Sequence, residues 1–230
     1  MYCSVFLFLL GYPAPSLIDA KRHLKKTALN FANKLSSSAL TRYESWLAYL
    51  RCGIPALSYC LLLTHFKEEE LRPIQALANR AFLAKTGFKR TTPRSVIHGP
   101  AYHGGKGVPK LYNSQSISKI ILLIRHIRAN NEHSDLMKIG ILWWQLFSGM
   151  PKYLLEYPEQ RCEHVKMDFF PCITRFLKEN QGQIIIQDLP PLDEPYREED
   201  IALMEAANRL FSPQVSKREL ESFNHTRLFL

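Results

Sequence analysis

Acidic residues are missing where most proteins would carry several. The chain has 230 residues, and between positions 71 and 131 it holds eleven lysines and arginines with no aspartate or glutamate. The first seventy residues carry a net charge of +3 and the last ninety-nine a net of −5, against +9 for the whole. The basicity therefore belongs to the middle of the chain. A block of one sign over that length draws polyanions, of which nucleic acid is the commonest.

Other absences exclude whole classes. There are five cysteines, an odd number, and no two stand at C-x-x-C spacing. That argues against a disulfide framework or a zinc ribbon and for reduced, buried thiols in the nucleus or cytoplasm. No apolar run approaches the ~20 residues that a membrane helix needs. The apolar stretch 5–10 has no basic residue before it and no small-residue cleavage site close behind, so it reads as a strand rather than a secretion signal. No G-x-S-x-G elbow and no Walker loop occurs. The eight histidines are scattered. Cys162, His164 and Cys172 are the nearest approach to a metal set, and they lack a paired second half. No catalytic and no metal-binding residue is assigned.

What is present is a globular composition: 46% hydrophobic, 22% charged, with 10 glycines and 14 prolines. Apolar spacing predicts a helix over 17–35, with Leu17, Leu24, Ala28, Phe31 and Leu35 on one face. A second is expected over 41–65, opened by a Thr41/Glu44 capping box, with a kink or a break near Cys52 because Gly53 and Pro55 sit inside it. A third starts at the acidic turn Glu68-Glu69-Glu70, carries Ile74, Leu77, Ala81, Phe82 and Leu83, and stops at Gly87. Residues 88–112 read as a structured loop with a small β element. Helix resumes at Ser114 with a stripe of Ile117, Ile120, Ile121, Ile124 and Ile127. The stretch 134–147 is apolar nearly all round, which predicts burial on several sides. Residues 169–177 look helical, 183–186 look like a strand, and 197–210 are amphipathic. The expected fold is mainly α, an irregular bundle over residues 1–150 with a looser acidic extension over 151–230. Both ends read as cuts through something longer.

In the central loop Gly104-Gly105-Lys106-Gly107 suggests two uses that are compatible. It is a tight turn needing left-handed backbone. It is also a set of backbone N–H groups that would cradle a phosphate beside Lys106 and Lys110. Tyr102 and Tyr112 flank it as stacking platforms for bases.

The same loop carries a resemblance. Thr92-Pro93-Arg94-Ser95-Val96-Ile97-His98-Gly99-Pro100, then His103-Gly104-Gly105-Lys106-Gly107-Val108-Pro109-Lys110-Leu111-Tyr112 and Gln115, resembles a stretch of retroelement (non-LTR-like) reverse transcriptases that follows the polymerase palm. Leu10-Gly11 is similar to the strand end that precedes it. Further on, Trp144-Gln145-Leu146 with Ser148-Gly149, the helix of Arg197, Asp200, Ile201 and Met204, and Glu219-Leu220 with Asn224, Arg227 and Leu228 match in the same order. The resemblance implies the thumb and connection region, which grips primer–template duplex without reading its sequence. It departs from the family in lacking the Y-x-D-D type aspartates that hold the metals.

The expectation is therefore a fragment of an RNA-directed DNA polymerase that is inactive alone. It would bind RNA–DNA or other duplex through Lys89, Arg90, Arg94, Lys106 and Lys110, with Tyr102 and Tyr112 beside them. It would need no cofactor of its own, although a parent polymerase would use magnesium. Its other partner would be the missing palm and fingers, and no membrane is implied. A helical protein–protein module is the alternative, favoured if the surface around Trp143 and Trp144 is apolar and exposed. A non-functional retroelement remnant is the third reading.

Overall fold

The computed structural model describes residues 17–62, 64–89, 91–150, 152–159, 165, 169–190 and 219. The expected strand 5–10, the amphipathic stretch 197–210, the motifs near either end, and Arg90, Cys162 and His164 lie outside them. The protein is mainly α, and among the described residues there is no strand. Two compact units form, one ending at Lys119 and the other starting at Ile120. The division falls inside a helix, between Lys119 and Ile120.

The first unit begins with α1, Leu17–Ser37, which buries Ala20, Leu24, Ala28 and Leu35 along one face. The four-residue steps put these side chains in one stripe, and Lys21, Arg22, Lys25 and Lys26 stay exposed off it. Helix α2, Arg42–Ala48, opens with the expected capping box: the Glu44 amide donates to Thr41 Oγ1 at 3.3 Å, and the Thr41 amide donates to Glu44 Oε2 at 2.8 Å. The bonds to the Thr41 backbone and hydroxyl hold the Glu44 carboxyl below its ordinary range.

The irregularity expected near Cys52 is present, as a widened turn that does not end the helical run. A π turn, Tyr49–Gly53, leads straight into α3, Ile54–Tyr59, and a 3-10 turn, Cys60–Leu62. Proline has no N–H and its ring crowds the preceding turn, so one widened turn is the cheapest accommodation. Gly53 serves a second end there. A Cβ on it would sit 2.7 Å from Cζ of Phe31, so only glycine lets that ring approach.

Helix α4, Glu68–Lys85, packs along α1 and buries Leu71, Ile74, Ala78, Ala81, Phe82 and Leu83. Gly87 at φ +81° follows its end. At the centre of this core Tyr49 is fully buried, stacked on Phe82 with centroids 4.4 Å apart, its hydroxyl donating to Asn79 Oδ1. Burial pushes that hydroxyl up to about 12.

Among the described residues of 88–112 there is no β element. They fold as the short helix α5, Arg94–His98, and a 3-10 turn, Ala101–His103, before α6, Leu111–Arg128. Helix α6 bears out the isoleucine stripe in part: Ile120 and Ile127 pack against the second unit's core and Ile124 is half-buried, whereas Ile117 and Ile121 are nearly half exposed, and the fully buried positions are Leu111, Tyr112, Gln115, Ser116, Lys119 and Leu123. The physical reason is that the polar side chains among these satisfy buried backbone. Gln115 accepts from the Phe66 amide at 3.1 Å and donates to the Phe66 carbonyl at 3.0 Å. The Lys119 ammonium donates to the Thr64 carbonyl at 2.7 Å and lies as close to His65 Nδ1.

The second unit takes the end of α6, then α7, Glu132–Ser148, and α8, Phe169–Glu179. Asn131 caps α7 by accepting from the His133 and Ser134 amides, and Gly149 at φ +66° ends it. Its core joins Leu123, Met137, Ile141, Trp144, Leu154, Leu155, Phe169, Phe170 and Ile173. Trp144 stacks on Phe170 with centroids 5.6 Å apart. Burial on several sides of α7 is not what forms: Ile139, Trp143 and Leu146 lie about half exposed on one face. The expected strand 183–186 is not a strand, and the Ile184 amide instead donates to the Leu155 carbonyl.

Candidate nucleic-acid interface

Helix α4 and the segment 92–112 enclose a concavity of about 1250 Å³ within the first unit. It exceeds the ~300–1,000 Å³ of ordinary small-molecule pockets. One wall is the outward face of α4, where Arg72, Ala76 and Arg80 recur at four-residue steps. The other wall is α5 with the glycine turn, bringing Arg94, His98, His103 and Lys110. Apolar groups of Leu71, Leu83, Val96 and Ile97 line it between them.

Two glutamine bonds hold the walls together. Gln75 donates to the Pro109 carbonyl at 2.8 Å and accepts from the Leu111 amide at 3.1 Å. Lys110, the residue between, is thereby fixed beside α4. The glycine turn is locked by its own backbone. Lys106 donates to the Val96 carbonyl at 2.8 Å, Gly107 to Gly99 at 2.8 Å and Val108 to Ile97 at 3.0 Å. Gly105 passes so close to Gly99 that a Cβ would fall 2.1 Å from the Gly99 carbonyl oxygen.

Those bonds correct the phosphate-cradle expectation. The amides of Gly104, Gly105, Lys106, Gly107 and Val108 all donate to protein carbonyls, so the turn has no row of free N–H groups. Gly104 at φ +79° and Gly107 at φ +64° supply the left-handed backbone that the turn needs. The loop's service to an anion comes from side chains.

The expected ligands divide. Arg94 and Lys110 line the concavity and are exposed. Lys89 is exposed but outside it, and Lys106 is exposed with its ammonium 5.1 Å from the centre of the Phe88 ring. Tyr102 is 83% exposed, its ring 4.4 Å from that of His103, and so presents a free face. Tyr112 is 8% exposed and packs as part of the wall. Its burial leaves no face on which a base could stack. Arg72, Arg80, His98 and His103 were not foreseen. Their signal was available in part, since 72, 76 and 80 share one helix face in a block free of acids.

The electrostatics follow. Four arginine and lysine cations face one carboxylate, Glu68, which lies 3.6 Å from Arg72. Among the described residues no ion pair engages Arg80, Arg94 or Lys110. A concave wall with one sign of charge focuses its field and concentrates anions. His98 Nδ1 lies 2.8 Å from the Val108 carbonyl. Burial lowers the pKa of its ring, the Val108 bond opposes this, and the Lys110 and Arg94 cations lower it further.

Among the described residues no three metal-ligating side chains converge. No described helix is long and apolar enough to cross a membrane. No protein-family model, curated protein or solved structure matches the chain.

Proposed function

We propose that this chain is the post-palm, thumb-like part of a retroelement reverse transcriptase, and that the concavity between α4 and the 92–112 segment grips the phosphate backbone of a nucleic-acid duplex. One observation carries the reading. The loop whose residues resemble that family also builds a wall of a concavity lined by four arginine and lysine cations and one carboxylate. Side-chain contacts to phosphate position a duplex without reading its sequence. Tyr102, exposed next to His103, supplies an aromatic face. The chemistry of polymerisation would belong to the palm, with magnesium held there.

Titrating the chain into a fluorescein-labelled RNA–DNA hybrid, with anisotropy as readout, tests this. Binding that weakens steeply with salt and is indifferent to sequence is expected, and Arg94→Gln with Lys110→Gln should weaken it. Absence of binding by the folded chain at low salt would refute it.

A second reading is favoured by a separate observation. Ile139, Trp143 and Leu146 form an exposed apolar face on α7, as a helical protein-interaction module would require. A folded chain that ignores nucleic acid would shift the assignment there.

A further inference from the structure

Two imidazoles stand among the cations of the concavity. His103 is exposed at its rim, against Tyr102. His98 is half-buried in its wall, at the end of α5. A carbonyl oxygen only accepts hydrogen bonds, so the 2.8 Å contact of His98 Nδ1 with the Val108 carbonyl places a proton on Nδ1. That fixes the tautomer of the neutral ring. Nε2 is then an acceptor, and among the described residues nothing donates to it. An acceptor has nothing to offer a phosphate oxygen. One added proton makes Nε2 a charged donor.

The surroundings decide when that proton arrives. Arg94 stands one turn earlier on the same helix. Lys110 comes from the loop, and Arg72, Arg80 and Glu68 come from α4, with His103 at the rim. With the concavity empty, burial and the nearby Lys110 and Arg94 cations disfavour the imidazolium. A phosphodiester brings negative charge among those cations and offers oxygens to Nε2–H. Its charge counters the repulsion of those cations, and its hydrogen bond to Nε2–H compensates the cost of burial.

We propose that His98 is a phosphate ligand of this concavity in its imidazolium form, and that binding a nucleic-acid backbone takes up a proton there. The proposal rests on reading the concavity as the nucleic-acid site. Its sign is fixed by linkage: the bound state holds more protons than the free state, so affinity rises as pH falls. One site of this kind steepens binding by at most about tenfold per pH unit. At alkaline pH the ring is neutral in both states and contributes nothing.

The test is anisotropy of the same RNA–DNA hybrid at fixed ionic strength, from about pH 5.5 to 8, the range over which histidine titrates. Wild-type affinity should rise several-fold per pH unit toward the acid end. His98→Gln keeps a side-chain donor for the Val108 carbonyl. It should show a much flatter pH profile than wild type, while His23→Gln, exposed on α1 and outside the concavity, keeps the wild-type slope. Calorimetry of the wild type in two buffers of different ionisation enthalpy reads proton uptake without any mutation, and a fraction of a proton or more per complex is expected near neutrality. Parallel profiles for wild type and His98→Gln, or zero uptake, overturn the role of His98 while leaving the nucleic-acid site standing. No binding at any pH overturns the site itself and this role with it.

Discussion

Replacing Gln75 with leucine tests how the concavity is held together. The side chain is 7% exposed and makes two bonds across the site, to the Pro109 carbonyl and from the Leu111 amide. Leucine has a similar volume, so the substitution leaves little cavity and removes mainly the polar partner. The two orphaned groups fare differently. Pro109 is half-buried, and its carbonyl regains water at modest cost. Leu111 is fully buried and begins a helix, so its amide has no intrahelical acceptor to turn to. A buried donor left without a partner costs about 1–3 kcal/mol. Adding the weaker carbonyl loss and subtracting some gain from apolar burial leaves a net destabilisation of about 2–3 kcal/mol. In urea denaturation followed by circular dichroism the midpoint should fall with the slope unchanged. Nucleic-acid affinity should drop as well, because Lys110 loses its anchor. A change under ~0.5 kcal/mol, the size of an ordinary surface substitution, would refute the claim that Gln75 clamps the loop.

Other outcomes follow from the same structure. Gly105→Ala should unfold or severely loosen the loop, because its Cβ would fall 2.1 Å from the Gly99 carbonyl oxygen. Gly104→Ala meets nothing within 4 Å and should cost only the left-handed backbone penalty of roughly 1–2 kcal/mol, measurable as a smaller shift in urea midpoint. Trp144→Ala, in the second core, should cost about 3–5 kcal/mol, whereas Trp143→Gln on the exposed face should stay within ~0.5 kcal/mol, as thermal melts would show. Burial raises the Glu70 pKa, but the bonds from Lys21 and the Lys67 amide and the charges of both lysines outweigh it, so its folded value lies below the ordinary 4.5. Its contribution is therefore complete above pH 4.5 and lost as pH falls through the lower folded value, and Glu70→Gln should flatten the acid limb of the stability profile over that interval.

Much of the helical frame was legible because it depends on local rules. The Thr41/Glu44 box, the stop at Gly87, and the stripe of Leu24, Ala28 and Leu35 each follow from spacing within a few residues. The isoleucine stripe of α6 placed Ile120 and Ile127 inward but missed the fully buried positions, because periodicity assumes that a buried face is apolar. Here the buried face is held by Gln115 and Lys119, whose partners lie some fifty residues away in sequence. Long-range bonds of this kind leave no local pattern. Gln145 in α7 is also buried and polar, but over a short span: it donates to the Met150 and Lys152 carbonyls and accepts from the Leu154 amide, pinning the chain just beyond the helix. The candidate site was half legible. Charge counting found the block and the loop, hence Arg94 and Lys110, but not which face of α4 would turn toward it. Tyr112 shows the limit of flanking position as an argument, since one helical turn buried it while Tyr102 stayed outside.

The salt dependence of duplex binding tests the central claim most directly. Log affinity is measured against log salt over roughly 50–200 mM for the wild type and for a variant carrying Arg72→Gln, Arg94→Gln and Lys110→Gln, with circular dichroism confirming that both are folded. Each phosphate contact contributes a slope of about −0.9 on duplex DNA. If these three side chains ligate phosphates in the concavity, the variant's slope should be shallower by about 2–3. A folded variant with the wild-type slope would place the contacts elsewhere and contradict the account.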